Sequence, residues 1–289
     1  MTLAAPVVHG KTVRLSKLVR RVTFNNPGVF TGPGTNTYVI GDPAAGRVVV
    51  LDPGPDDDKH IRAVARATRG ARTTIVVTHT HPDHSPGVPL LKELTGAQVV
   101  GFDSRDEFTT DVDAGDGYVV KHRGVTLRAV HTPGHASNHL CWHLAEENLL
   151  FSGDHVMAGS TVVISPPDGD MQQYLDALEK VRRLRVGAIA PAHGPVLTDP
   201  DAVLGWYVAH RLERERLVLM ALARRGSATV GQLVTDVYTD VPKDRYPIAQ
   251  FSLWAHLRKL RADGFAATRN PDDLNAQWQI KWGTLRRLK

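Results

Sequence analysis

The sequence predicts an α/β protein in two parts: a catalytic domain over residues 1–205 and a smaller, helix-rich domain over residues 206–289. Three observations predict it. Apolar, β-branched runs alternate with segments of helical spacing through the first part, four of those runs end in histidine or aspartate, and from Trp206 onward the pattern turns to amphipathic helices. A chain of 289 residues with 42% apolar content has enough apolar surface for one large core and a companion.

The elements follow in order. Residues 36–52 read as paired strands, "NTYVIGD" and "GRVVVLDPG", around a Pro/Gly/Ala turn and closed by Pro53–Gly54. Residues 58–68 carry helical spacing at Ile61, Val64 and Ala65, before the buried-type strand "TTIVVTH". A helix in "GVPLLKELTG" and a strand in "AQVVGF" come next, then strands in "VTLRAVHTPG", "HLCWHLA" and "NLLFSGDHV". The helix "DMQQYLDALEKVRRLR" precedes a last strand in "VGAIAPAHGPV". Beyond it, "WYVAHRLERERLVLMALARRG", "TVGQLVTDVY" and "YPIAQFSLWAHLRKLRADG" read as three helices, and "FAATRNPDDLNAQWQIKW" as two short strands around a polar turn at Asn270–Asp273. That order predicts a winged-helix-like domain. Leu253, Leu257 and Leu260 form its core face, while Arg258, Lys259 and Arg261 either face solvent or dock nucleic acid.

Composition narrows the chemistry. The single cysteine, Cys141, excludes an intrachain disulfide and a cysteine-rich zinc cluster, so metal ligands must be histidine and carboxylate. No charged-then-apolar leader opens the chain, and no apolar run approaches the roughly 20 residues of a spanning helix; the expectation is a cytoplasmic protein without membrane contact. Residues 1–205 hold 20 Lys+Arg against 22 Asp+Glu, and residues 206–289 hold 15 against 8. The tail's excess suits a polyanionic partner and equally a solvated helix face, so charge alone does not choose.

The densest motif is "HTHPDH", residues 79–84. It begins where a strand ends, so imidazoles can converge from a loop on a rigid scaffold. His79 and His81 can share one ion, and Asp83 and His84 can serve a second. Three later segments repeat a strand ending in a ligand-type residue beside glycine: "AVHTPGH" at His135, "LLFSGDH" at Asp154 and "IAPAHGP" at His193. Singly, each reads as an ordinary hydrogen-bonding residue; together they describe a distributed metal site.

In this order "HTHPDH", "TPGH", "SGD" and "AHGP" resemble the metal signature of the metallo-β-lactamase fold. The resemblance implies an αββα sandwich with the metals at one edge. It assigns His79, His81 and His135 to one zinc ion, Asp83, His84 and His193 to another, and Asp154 to a bridge between them, Mn²⁺ or Fe²⁺ being alternatives to Zn²⁺. More narrowly, "NNPGVFTGPGTNTYVIG", "SGDHVMAGSTVVISPPDGDMQQYLDALEK" and "AHRLERERLVLMALARRG" resemble the β-lactamase-like protein 2 family. Members of that family carry a C-terminal winged-helix-like domain, and an animal member is a single-strand-preferring endoribonuclease.

The resemblance therefore implies a hydrolase acting through an activated water. Single-stranded RNA is the first substrate expected, with a glyoxalase-II-like thioesterase or other acyl-ester or lactone hydrolase as the alternative, and a non-catalytic nucleic-acid-binding protein behind both. Antibiotic hydrolysis is disfavoured, because zinc β-lactamases usually place cysteine where Asp154 stands. Asp83 is the candidate catalytic carboxylate, or a ligand only. Asn36 and Thr37 in "GTNTY" and His139 are candidate substrate contacts, with a turn role for the first two and orientation of a metal ligand for His139 as alternatives.

Overall fold

A computed structural model describes residues 5–105 and 107–281. The chain divides into two compact units. One comprises the chain to Thr132, Asn138–Val162 and Lys180–Val203; the other comprises Pro133–Ser137, Val163–Glu179 and the chain from Leu204.

The first unit holds two sheets. Strands β1 (Thr12–Arg14), β2 (Val19–Thr23), β3 (Asn36–Ile40), β4 (Arg47–Leu51), β5 (Arg72–Val76), β6 (Gln98–Gly101) and β7 (Val112–Asp113) lie in chain order, antiparallel up to β4 and parallel from β4 on. Helix α1 (Asp58–Ala67) links β4 to β5, and α2 (Val88–Thr95) links β5 to β6. Strands β8 (Val119–His122), β9 (Val125–His131), β10 (Leu140–Leu144), β11 (Leu149–Gly153) and β12 (Ala188–Pro191) form the second sheet in the order β12-β11-β10-β9-β8.

Strand alternation builds the layers. In β4, Val49 and Leu51 enter a core shared with Leu127, Trp142 and Phe151 of the second sheet, while Val48 and Val50 enter another with Ile61, Val64 and Leu91 of α1 and α2. The two sheets therefore pack face to face, with helices on the outer face of the first, as the sandwich reading requires. Strands β1, β2, β7 and β8 were not legible. β2 reads "VRRVT", and its Arg21 is fully buried, donating from Nη2 to the carbonyl of Pro6 at 2.7 Å, so charged letters occupy strand positions.

Helix α3 (Met171–Arg183) follows the second sheet's β11 in sequence, and α4 (Pro200–Arg225) starts earlier than Trp206, so the 205/206 boundary falls within it. Pro200 opens α4, and the Asp199 carboxylate accepts the N–H of Ala202 at 3.1 Å. The second unit continues with β13 (Ser227–Ala228), α5 (Val230–Val237), α6 (Tyr246–Ala262), β14 (Ala266–Ala267) and β15 (Trp278–Ile280), in a sheet ordered β13-β15-β14. Thr229 and Gln232 form a capping box on α5. Leu253, Leu257 and Leu260 are buried with Leu222, Leu233 and Trp278. Trp282, the end of the expected wing strand, and residues 283–289 lie outside the described residues. No helix among the described residues is long and apolar enough to cross a membrane.

The basic helix face is largely neutralised. Lys259 Nζ donates to Glu215 Oε1 at 3.1 Å and Asp263 Oδ2 at 2.7 Å, and Arg258 pairs with Asp272 and donates to the carbonyl of Pro271.

Candidate metal centre

Each ligand-type side chain sits just beyond a strand end. The turn after β4 supplies a residue that the sequence did not single out: Asp52, fully buried, with φ of 49° in the left-handed region. Its N–H still donates to Val76 O at 3.0 Å, while the carboxylate turns across to the segment after β5. Oδ1 accepts the Thr78 N–H at 2.7 Å; Oδ2 accepts the Thr78 hydroxyl at 2.7 Å and His84 Nδ1 at 2.9 Å. The legible signal was an acid closing the apolar run "VVVLD" immediately before Pro53–Gly54.

With Nδ1 on Asp52, burial lowers the His84 ring's pKa, but the charges of Asp83 and Asp154 outweigh it and hold the ring well above the ordinary imidazole range, so a metal ion would displace a proton from Nε2. That atom is buried without a hydrogen-bond partner, 3.4 Å from Asp83 Oδ2 and 3.6 Å from Asp154 Oδ1. His193, two residues after β12, brings Nε2 to 3.1 Å from Asp154 Oδ1 and 3.4 Å from Asp83 Oδ2. The "HPDH" loop is pinned by His84 N–H to His81 O at 3.0 Å and by Gly54 N–H to His84 O at 2.9 Å.

The remaining candidate ligands form a second group. His79 Nε2 lies 2.9 Å from His81 Nδ1 and 4.0 Å from Asp154 Oδ2, and His79 Nδ1 lies 3.0 Å from the Thr78 hydroxyl. His135 Nδ1 donates to Val163 O at 2.7 Å, which leaves Nε2 as its ligand atom. Candidate ligand atoms of His79, His81, His135 and Asp154 lie within 4.8 Å of one another, and so do those of Asp83, His84 and His193. Asp154 turns Oδ2 toward the first group and Oδ1 toward the second.

The donor set fits a cation. Burial, then the charges of His84 and His81, push His79 well below the ordinary imidazole range, which keeps it in the neutral, lone-pair form. Burial pushes the Asp83 carboxyl up, but the charge and hydrogen bond of His84, with His193 adding, outweigh it and hold Asp83 at about 2. Five imidazoles and two carboxylates, with no thiol among them, suit borderline divalent ions.

The expected substrate contacts occupy other positions. Asn36 and Thr37 are fully buried: Asn36 donates to the carbonyls of Pro191 at 3.0 Å and Gly194 at 2.9 Å, holding the His193 loop, and the Thr37 hydroxyl donates to Asp52 O at 2.7 Å. Those donors are therefore spent on the scaffold around the candidate metal centre. His139, also fully buried, has Nδ1 2.8 Å from the Thr132 hydroxyl and accepts the Asp154 N–H on Nε2 at 3.1 Å, so it orients a ligand segment. Thr35, not singled out, donates its hydroxyl to Asp83 Oδ2 at 3.0 Å and is itself held by Asn26. Gly153, with φ of 51°, is required before Asp154, because a Cβ there would sit 2.7 Å from His139 Nε2 and 2.8 Å from the Thr78 side chain.

Residues 30–193 match the family model described as the Metallo-beta-lactamase superfamily. The chain belongs to that superfamily. Residues 229–278 match a second model, the Beta-lactamase associated winged helix domain, which places a winged helix in the second unit. The superfamily chain is 31% identical over 275 residues to a Beta-lactamase-like protein 2 homolog of Caenorhabditis elegans, covering 92% of this chain and 90% of that one. It is 36% identical over 243 residues to an Atrochrysone carboxyl ACP thioesterase of Aspergillus chevalieri, covering 80% and 76%. A solved beta-lactamase domain protein from Burkholderia ambifaria has the same fold, with a TM-score of 0.80, 18% identity and 96% coverage of each chain. As a superfamily member the chain is a hydrolase whose histidine and aspartate cluster is compatible with a metal ion.

Proposed function

We propose that the protein is a two-zinc hydrolase of acyl thioesters. The observation that carries the reading is the Asp154 carboxylate, with one oxygen toward each ligand group and Asp83 facing His84 and His193 beside it. His79, His81 and His135 would hold one ion and Asp83, His84 and His193 the other; Mn²⁺ or Fe²⁺ suits the same donors. Bound there, the pair supplies Lewis-acid polarisation of a carbonyl and acidifies water.

The chain's own groups do the rest. Water adds to the thioester carbonyl carbon, the C–S bond breaks, and acid and thiol leave. Asp83, oriented by the Thr35 hydroxyl, takes the proton from the attacking water and returns it to the departing sulfur. Support for this substrate class comes from the similarity to a relative named as an ACP thioesterase, and from aspartate rather than cysteine at position 154.

Cleavage of single-stranded RNA is the second reading, favoured by the basic excess after residue 205. The pairing of Arg258 and Lys259 with Asp272, Glu215 and Asp263 weighs against it. The deciding experiment is a panel with metal-reconstituted protein and a chelated control. S-lactoylglutathione and an acyl-carrier thioester should be turned over, while single-stranded RNA and bis-p-nitrophenyl phosphate should be poor substrates. Metal-dependent RNA cleavage without thioester turnover would reverse the order of the two readings.

A further inference from the structure

A basic cleft of about 390 Å³ lies in the first unit, between α1, the edge strand β1 and its neighbour β2. Four arginines line it: Arg14, Arg20, Arg66 and Arg69. The other lining residues are small, such as Gly10 and Ala63, and no carboxylate is among them.

The arrangement is electrostatically costly. Arg14 and Arg20 stand directly opposite each other in the β1/β2 register, where like charges destabilise a sheet. Arg20 is nearly buried, and its guanidinium is held below the ordinary arginine range by burial first, then by the charges of Arg69 and Arg14, with Asp42 opposing. Arg69 adopts φ of 53°, in the left-handed region that a side chain of its size disfavours. Arg20 Nη1 is committed to Gly41 O at 2.9 Å and Arg14 Nε to Ser16 O at 3.0 Å, which leaves most of the guanidinium donors open. Arg66 and Arg69 have no side-chain hydrogen bond or ion pair among the described residues.

We propose that this cleft is a binding site for a diphosphate group, either free or carried by a nucleotide. Guanidinium groups match phosphate oxygens in bidentate geometry, and four positive charges converging from two strands and a helix end are balanced more fully by a diphosphate than by a single phosphate. None of the residues lining the cleft is among the candidate metal ligands, so the site is separate from the candidate metal centre. A ligand there acts on the protein away from the hydrolysed bond.

The test is calorimetric titration of the full chain with inorganic pyrophosphate at constant ionic strength, with orthophosphate, sulfate and ADP as comparators. Pyrophosphate should bind saturably at one site per chain, at least about tenfold more tightly than orthophosphate or sulfate. ADP binding at least as tight identifies a nucleotide as the carrier; pyrophosphate binding alone identifies the free ion. Arg66→Gln combined with Arg69→Gly should weaken binding at least about tenfold. Both positions are exposed, and glycine relieves the left-handed backbone at 69, so thermal stability should hold. Absence of saturable binding overturns the proposal, as does equal binding of sulfate. Unchanged pyrophosphate affinity in the double variant also overturns it, since the anion would then sit elsewhere, for example at the metal centre.

Discussion

Asp52→Asn tests how the ligand loop is held. The wild-type carboxylate accepts three hydrogen bonds: two from Thr78 and one from His84. An amide of the same shape cannot reproduce them. If its oxygen faces His84 and the Thr78 hydroxyl, its NH₂ meets the Thr78 N–H, donor against donor, across a 2.7 Å contact. If its NH₂ faces His84 instead, the imidazole must move its proton to Nε2, the atom that points at Asp83 and Asp154. Either way one charge-assisted bond in a fully buried site is lost, a cost of about 1.5–3 kcal/mol. Loss of a group that orients a metal-binding imidazole lowers metal affinity by about 10–100-fold, which agrees in size. Urea unfolding of the metal-free variant reads the first quantity, and competitive zinc titration against a chromophoric chelator reads the second. A variant with wild-type values in both assays would refute the claim that Asp52 sets the His84 tautomer.

Three further outcomes are expected. Asp154→Asn should reduce bound zinc below two ions per chain and depress hydrolysis more than His139→Ala does, with metal content measured for both; equal losses at full metal content would contradict the bridging assignment. Gly153→Ala should destabilise the fold by about 1–3 kcal/mol in urea unfolding, because its Cβ would meet His139 and Thr78 below 3 Å; a neutral result would mean that the β11 turn relaxes freely. His60, almost fully buried beside Thr37, is pushed down to about 4, chiefly by burial. Its folded pKa lies below the unfolded value of about 6.5, so its contribution is complete above pH 6.5 and is lost as pH falls toward 4. The difference amounts to about 3 kcal/mol. His60→Gln should flatten the stability profile across that window, and an unchanged slope would refute the assignment.

The candidate ligands were legible because each follows an apolar run, and hydrophobic periodicity is local. The groups that hold them were not. Thr35 meets Asp83 across 48 positions and Asp52 meets Thr78 across 26, so nothing near either residue in the chain announces its partner. Asn36 and Thr37 begin a strand that was legible, but its full burial was not, and their donors had to find carbonyls inside. Charge was equally hard to read. Arg20 and Arg21 hid β2, and for Arg258 and Lys259 charge left solvent and docking both open, since their acidic partners lie elsewhere in the chain.

Strand β4 belongs to both apolar cores at once through its alternating valines. Opening either core strips one side of the same strand, whose Val48 and Val50 face one core and Val49 and Leu51 the other, so the two cores are coupled through it. The backbone amides of β4 should therefore be among the last to exchange with solvent, only on global unfolding. Asp52 is the next residue along. The group that steadies His84 is thus tied to the slowest-opening part of the chain, and local breathing of the outer strands leaves it in place.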